Sequence, residues 1–436
     1  MSLSANYRRE LFQLAWPASL MAVVQSLYRL NDQFFVQELG ARAQSAVAVA
    51  SMVAIGYFAF AQLVAVGNLA IASRRLGEGR TEDAHTTMRS GIGLALATGL
   101  ALATVTLITL PWLCQGLIRG DDVGQEQTFL ADYLFWIAAG QVVMVTAICV
   151  DSCFLALKNS RIPMCLQFLA IATNIVLNWQ FVPVWGVAGA AIASVISRTL
   201  PMIIGLWLLQ RKGVILLGPV SRATGLRILK IGLPACIAIV IYSAVYQAML
   251  GLTFVHFDEN ARSALGIAFG IESVFFCFYW GIATAVASLV GRYLGSGQVD
   301  LAVAVSKISV WIGLGVGTLT SILFWVAGPT MINFFATDEA VIAANAEYLN
   351  ILAWAQPMQA MQTMYEQTLI GAGATLPVMI STGITNLARL PLAHLFGIVL
   401  GHGLAGVWWA INLTSVAKYI WSWLLFRNGR WQKQKV

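Results

Sequence analysis

The longest stretches of this sequence carry no charged residue. Residues 45–72 and 91–113 are uncharged and mostly apolar. A helix needs about 20 consecutive apolar residues to cross the hydrocarbon core of a bilayer. Within that core only helices and closed barrels satisfy their own backbone polar groups. Barrel strands would show segments of about 10 residues with alternating polarity. These runs are longer and do not alternate, so they predict transmembrane helices.

Composition extends this prediction to the whole chain. Hydrophobic residues make up 59% of the 436 residues and charged residues only 10%, against about 25% charged in an ordinary soluble domain. The predicted fold is therefore an all-α membrane protein. The apolar runs place its twelve helices at 10–36, 45–72, 91–113, 128–157, 163–181, 187–209, 230–255, 264–290, 303–327, 342–370, 376–400 and 404–427.

The basic residues predict how the chain is oriented. Nineteen of the 26 lysines and arginines fall in loops or ends on one side of the predicted membrane, three fall on the other, and four lie within helices. Basic loops remain on the cytoplasmic side. We therefore expect a multi-pass protein of the cell inner (plasma) membrane with both termini in the cytoplasm, and no nucleic-acid partner.

Four short matches, in the same order, relate the two halves of the chain at a nearly constant offset of half its length. The matched segments are 16–18 with 233–235, 75–79 with 293–297, 173–174 with 385–386, and 186–189 with 403–406. Six helices per half is an even number, so both halves share one orientation. This predicts two six-helix bundles related by a pseudo-twofold axis along the membrane normal.

The repeat also predicts domain boundaries. The amino-terminal lobe spans 1–209, a basic cytoplasmic linker spans 210–229, and the carboxy-terminal lobe spans 230–436. Parallel repeats of this kind place substrate between the halves and alternate its access by rocking. A scaffold would have no need of two halves that can rock.

Motifs along nearly the whole chain resemble the multidrug and toxic-compound extrusion (MATE) family, prokaryotic type. They are the end of helix one from Leu27 to Gly40, the loop at 75–79, the pair 174–178 with 186–191, and Arg389–Leu392 with 403–408. The resemblance implies export of bulky, often cationic, amphipathic small molecules in exchange for H⁺ or Na⁺. It also implies that the cation site of the amino-terminal lobe has its acidic residue at Asp32.

A cation-coupling site is predicted from the depth of four polar residues. Asp32, Asn174 and Asn178 lie late in helices that run outward, and Ser194 lies early in a helix that runs inward. Asn174 and Asn178 share one helix face because they are four residues apart. One carboxylate, two amide oxygens and a hydroxyl could hold Na⁺, or Asp32 could carry a proton. No further metal and no cofactor are expected.

Two departures from the family pattern leave this site open. Asn178 stands where the family often has a second acid. Arg29 lies three residues before Asp32 on the same face of helix one, so it could pair with Asp32 and take the place of the cation. If Asp32 points at Asn174 and Asn178, cation binding is favoured; if it points at Arg29, coupling must move to Glu272 or elsewhere.

Further modulating or substrate-binding roles are predicted for Glu272 and Arg389, which could interact, and for Tyr28, Tyr246 and Phe275. A charge in the bilayer is costly, so each one suggests a function, although packing is the alternative for Glu272 and Arg389 and the more usual role for the three aromatic residues. Asp151 and Glu366 lie toward the inner ends of helices four and ten at nearly corresponding repeat positions. They suggest either an inner vestibule or simple solvation near the interface.

These observations favour a secondary active antiporter that acts as a monomer in the lipid bilayer. No zinc-protease, Walker or serine-hydrolase motif occurs, and the four histidines are scattered, so no enzyme is expected and no catalytic residue is assigned. The alternative is a flippase or exporter of a lipid-linked or anionic substrate. Arg29, Arg198 and Arg389 keep that alternative open.

Overall fold

Helices make up nearly all of the part of the chain that the structure describes. The computed structural model describes residues 3–118, 124–214, 218, 220–256, 259–333 and 339–434, without the side chains at 3–6, 29–30, 41, 52, 250–256, 259–267 and 340. The α-helices in these ranges are α1 (Leu3–Val36), α2 (Ala41–Gly77), α3 (Thr81–Leu117), α4 (Gly124–Ala139), α5 (Gln141–Ala156), α6 (Arg161–Arg211), α7 (Arg222–His256), α8 (Glu259–Gly295), α9 (Val299–Asn333), α10 (Glu339–Ala353), α11 (Gln356–Gly371), α12 (Thr375–His394) and α13 (Gly403–Arg427).

The predicted all-α membrane fold is confirmed, and each of the twelve predicted helices falls on described helical structure. By length and composition, six described helices could span a membrane, and the α4–α5 pair, bent by 50°, makes a seventh. One of the six is α6, whose 51 residues would extend about 76 Å if straight, enough for two crossings of a core of about 30 Å. The sequence missed the breaks that divide predicted helix four at Gly140 and predicted helix ten after Ala353.

Gly186 divides α6 into the two predicted helices. Its backbone angles, φ 57° and ψ −135°, belong to a region that glycine enters without a steric penalty. Three residues later, a Cβ at Gly189 would lie 2.4 Å from the carbonyl oxygen of Phe181. The first glycine thus turns the chain, and the second lets the two arms of α6 approach closely.

The matched motif of the second half likewise turns the chain between α12 and α13 and allows a close backbone approach. Gly403 has φ 61°, and a Cβ at Gly406 would lie 2.5 Å from the carbonyl oxygen of Phe396. A five-residue π-helix, Leu395–Val399, precedes this turn. The repeated Gly-x-x-Gly motif is therefore a repeated corner of the backbone.

A second pair of glycines fixes how the helices pack within each half. A Cβ at Gly99 on α3 would lie 2.6 Å from Val142 Cα, and a Cβ at Gly317 on α9 would lie 2.6 Å from Pro357 Cα. Helices α3 and α9 thus approach the first residues of α5 and α11 at backbone distance. The same arrangement recurs in both halves, where α2, α3 and α5 pack together as α8, α9 and α11 do.

The chain folds into two compact units. One combines Met1–Ser19 with Ile237–Val436, and the other is Leu20–Cys236. Helix α1 therefore contributes its first part to the carboxy-terminal unit, where a Cβ at Gly281 would lie 2.3 Å from Ser19 Cα. The lobe boundaries and linker that the sequence predicts stay a prediction.

Candidate functional site

A fully hydrogen-bonded carboxylate lies inside the amino-terminal unit. Asp32 is 4% exposed. Its Oδ1 accepts a hydrogen bond from Asn178 Nδ2 at 2.8 Å, and its Oδ2 accepts from Ser194 Oγ at 2.7 Å and from Tyr133 Oη at 3.0 Å. Buried charges are tolerated where hydrogen bonds compensate their desolvation. These three donors make the acid tolerable at this depth.

Asn174 joins the same network from one turn earlier on α6. Its Nδ2 donates to Ser194 Oγ at 3.2 Å, and its Oδ1 accepts from Asn31 Nδ2 at 2.7 Å. Asn178 Oδ1 is buried without a hydrogen-bond partner among the described residues. The structure thus brings Asp32, Asn174, Asn178 and Ser194 together, as the sequence predicts, and leaves one amide oxygen available beside them.

The corner at Gly186 creates this convergence. Asn178 and Ser194 are 16 residues apart, which would separate them by about 24 Å along a straight helix. Both nevertheless bond the same carboxylate, because the corner folds the second arm of α6 beside the first. Helix α1 supplies the acid and α4 supplies Tyr133.

Sequence reasoning missed Tyr133. It lies in an apolar run, where a tyrosine is indistinguishable from a packing residue. The available signal was its repeat partner, Tyr348, which stands at nearly the corresponding position of the second half. In its own unit Tyr348 also donates to a buried acid, Glu272, at 2.7 Å.

The predicted pairing of Arg29 with Asp32 lies outside the described residues, because the side chain of Arg29 is not described. Among the described residues, Asp32 points at Asn178, Ser194 and Tyr133. This is the orientation predicted to favour cation binding.

Glu272 is the buried acid of the carboxy-terminal unit, at 5% exposure. Besides Tyr348, it faces Gln356 Nε2 at 3.5 Å, and Gln356 in turn accepts from Tyr279 at 2.9 Å. Glu272 and Arg389, both described, form no salt bridge within 4.0 Å. Arg389 instead donates through Nε to Thr414 at 3.0 Å.

The remaining predicted residues contact groups of their own units. Tyr28 is buried and bonds through its hydroxyl to Ser197 Oγ and to the Ser194 carbonyl. The Tyr246 ring lies 4.7 Å from the Tyr242 ring at a tilt of 46°, and its centre is 5.7 Å from the Arg389 guanidinium carbon. Phe275 packs edge-on against a buried phenylalanine of α9.

The described residues contain no group of three or more histidine, cysteine or acidic side chains that could hold a metal ion. The chemistry of the amino-terminal site is that of one carboxylate with amides and hydroxyls around it. A hydroxyl can donate or accept a hydrogen bond, so Ser194 and Tyr133 suit either protonation state of Asp32.

The MatE family model matches this chain twice, over residues 17–180 and 234–395. The chain belongs to the MATE family. The two matched segments begin at the same spacing that relates the halves of the sequence repeat. As a member of this family, the protein is a multi-pass membrane transporter of the multidrug-efflux class, with twelve helices in two lobes.

Curated relatives cover nearly the whole chain. A probable multidrug resistance protein NorM of Thermotoga maritima is 25% identical over 98% of this chain and 94% of its own length. A protein named FAD transporter, from Shewanella oneidensis, is 24% identical over 95% of this chain and 93% of its own length.

Solved transporter structures share the fold. An outward-facing multidrug resistance MATE transporter has a TM-score of 0.91 at 21% identity, covering 98% of this chain and 97% of its own. A transporter from Pyrococcus furiosus, described as having a binding pocket of reverse polarity that suggests a different function, also has a TM-score of 0.91, at 22% identity and the same coverage.

Proposed function

We propose that the protein is a secondary active antiporter that exports amphipathic, cationic small molecules in exchange for protons. The observation that carries this proposal is Asp32, a buried carboxylate held by Asn178, Ser194 and Tyr133. An ionisable group inside a membrane is expensive and marks an ion pathway. Loading a proton removes the charge, and releasing it restores the charge, so each event changes what Asp32 bonds.

Hydrogen-bond polarity supports the proton over Na⁺ as the coupling ion. Asn178 presents its amide nitrogen to Asp32, and the neighbouring donors are hydroxyls. A sodium ion would need oxygen ligands turned toward it, whereas Asn178 turns its amide nitrogen toward the carboxylate. A proton requires only that one hydroxyl switch from donor to acceptor.

The remaining features of the proposal follow the predicted topology. The transporter lies in the cell inner membrane with both termini in the cytoplasm, since its basic loops gather on one side. It works as a monomer, takes up no cofactor besides the coupling ion, and alternates access to substrate from the two sides.

Transport by proteoliposomes under an imposed H⁺ or Na⁺ gradient tests the proposal. We expect a proton gradient alone to drive export and Asp32→Asn to abolish it, with substrate affinity within about tenfold, ~1.4 kcal/mol, of the wild type. Asp132→Asn on α4 is the matched control, because Asp132 is exposed. Gradient-driven export by Asp32→Asn at the wild-type rate would refute the assignment, and export driven by Na⁺ alone would replace the proton with Na⁺.

A second candidate function is export of an anionic or lipid-linked substrate. The observation in its favour is that Arg198, Arg389 and Lys418, all within helices, form no salt bridge within 4.0 Å with a described carboxylate. Lys418 is 7% exposed and donates to Asn386 Oδ1 at 3.0 Å. The relative named FAD transporter supports testing an anionic dinucleotide beside a lipophilic cation in the same vesicles. Uptake of the anion alone would favour this function.

A further inference from the structure

A small cavity lies within the amino-terminal unit, and Asp32 is not among the residues that line it. Its volume is about 20 Å³, and its polar lining consists of Asp151 on α5 with Gln167 and Arg198 on α6. A buried water needs roughly 10–15 Å³ of such volume and two to four polar partners. The cavity therefore has the size and the lining of a site for one water molecule.

The polar groups around this cavity are incompletely bonded. Gln167 Nε2 donates to Asp151 Oδ2 at 3.0 Å, and both side chains are 7% exposed. Gln167 Oε1 and Arg198 Nε are buried and have no hydrogen-bond partner among the described residues. One water would accept from Arg198 Nε and donate to Gln167 Oε1, leaving its second hydrogen for the Asp151 carboxylate.

Arg198 also contacts Tyr28, which lies beside the residues that bond Asp32. Its guanidinium carbon lies 4.3 Å from the centre of the Tyr28 ring. The Tyr28 hydroxyl bonds to Ser197 Oγ and lies 3.4 Å from the Ser194 carbonyl oxygen. Ser194 Oγ in turn donates to Asp32. Arg198 thus stands between two buried acids, with hydroxyl groups on one side and the water-sized cavity on the other.

We propose that Asp151 is a second proton-binding carboxylate, which receives the coupling proton that Asp32 releases. The inference rests on the proposed proton antiport. The O–H bond on Asp32 breaks, water together with the neighbouring hydroxyl groups carries the proton past Tyr28 and Arg198, and an O–H bond forms on Asp151. Asp151 then gives the proton to solvent at the nearby end of α5, five residues away, which the predicted topology places on the cytoplasmic side.

Arg198 acts as a positioning residue in this transfer. It remains charged throughout, because a guanidinium does not lose its proton in proteins, and so it neither gains nor loses the transported proton. Among the described residues, the titratable and charged groups that interact with Asp151 are Arg198 and the thiol of Cys149. The positive charge of Arg198 stabilises the Asp151 carboxylate once it has released its proton.

The second half contains a corresponding acid but differs at the position of Arg198. Glu366 and Thr382 stand in the second half at the positions of Asp151 and Gln167 in the first, and Thr382 donates to Glu366 at 2.8 Å. The spacing of the repeat places Ser415 where the first half has Arg198. We therefore assign the transfer to the amino-terminal unit.

The test is gradient-driven export by reconstituted Asp151→Asn. We expect its rate to fall by about tenfold or more, in the range of a lost proton-transfer group, and its dependence on cytoplasmic-side pH to flatten. Equilibrium binding of substrate stays within about twofold of the wild type, because Asp151 bonds to Gln167 and not directly to Asp32 or its donors. Asp151→Glu, which keeps a carboxylate, should recover most of the rate. Asp132→Asn should match the wild type.

Gln167→Leu provides a second measurement if Asp151→Asn fails to insert. It keeps the acid but replaces a polar wall of the cavity with methyl groups, so the water loses a partner and export should again slow. Wild-type rates and pH dependence in both Asp151→Asn and Gln167→Leu would overturn the inference. If Asp32→Asn is inactive in the same vesicles, the proposed function survives that result; if Asp32→Asn is fully active, the proposed function itself fails.

Discussion

Tyr133 and Tyr348 stand at nearly corresponding positions of the two repeat halves, and each donates its hydroxyl to the buried acid of its own unit. The bonds measure 3.0 Å to Asp32 and 2.7 Å to Glu272. The two acids come from different helices of the repeat, α1 and α8. Both sites therefore have a tyrosine at a corresponding repeat position, whereas their acids lie on helices that do not correspond.

Tyr133→Phe removes one donor from Asp32 and keeps the ring. A hydrogen bond to a charged group contributes about 1.5–3 kcal/mol, so we expect gradient-driven export to slow by about tenfold or more. Initial rates in proteoliposomes measure this. Tyr57→Phe is the matched control, since its hydroxyl bonds to Thr106 at 3.0 Å rather than to an acid. Equal rates in the two variants would contradict a role for Tyr133.

Asn178→Asp places a second carboxylate beside Asp32, where the side chains now approach to 2.8 Å. Two negative charges at this distance repel strongly, so a cation must lie between them or they must share a proton. We expect this variant to gain Na⁺-dependent thermal stabilisation that the wild type lacks. Asn412→Asp, a buried asparagine of the other unit, controls for adding an acid to the bilayer. No difference between wild type and Asn178→Asp in NaCl and KCl would argue against a cation site here.

Gly186→Ala tests the corner of α6. A side chain at φ 57° and ψ −135° costs about 1–3 kcal/mol, and relief of that strain would separate Asn178 from Ser194. We expect a lower melting temperature in detergent and loss of export. Gly315→Ala on α9 meets nothing within 4 Å and should be neutral or slightly stabilising. Export at the wild-type rate by a destabilised Gly186→Ala would show that transport does not depend on the corner at Gly186.

Glu272→Gln tests whether coupling is shared with the second unit. The amide oxygen of glutamine can accept the same bond from Tyr348, so the packing should survive. We expect export to remain dependent on the proton gradient, with a rate within about tenfold of the wild type, ~1.4 kcal/mol. A variant that binds substrate normally but no longer responds to the gradient would move the coupling role to Glu272.

The helices and the repeat were predictable because their signals are local. An apolar run of membrane length identifies a helix without knowledge of its neighbours, and the Gly186 and Gly403 motifs stand out as breaks. The interruptions at Gly140 and after Ala353 were not predictable. They lie where α3 and α9 press against the starts of α5 and α11, and that contact is a tertiary property.

The amino-terminal site was predictable from depth, since three helices of known direction bring Asp32, Asn174, Asn178 and Ser194 to one level. Depth alone does not give direction around a helix axis. For this reason Arg389, at a depth that suited Glu272, bonds to Thr414 instead. For the same reason, the contacts that connect Tyr28 through Arg198 with Asp151 could not be predicted.

Helix α1 passes from one unit to the other after Ser19, and α7 does so after Cys236. Each crossing lies two residues beyond a proline inside the helix, Pro17 or Pro234. If an ancestral gene encoded one half alone, two copies of its product would have completed each bundle by exchanging the start of their first helix, as in domain swapping. Fusion of the duplicated genes would have made this exchange intramolecular, so that assembly no longer depended on protein concentration.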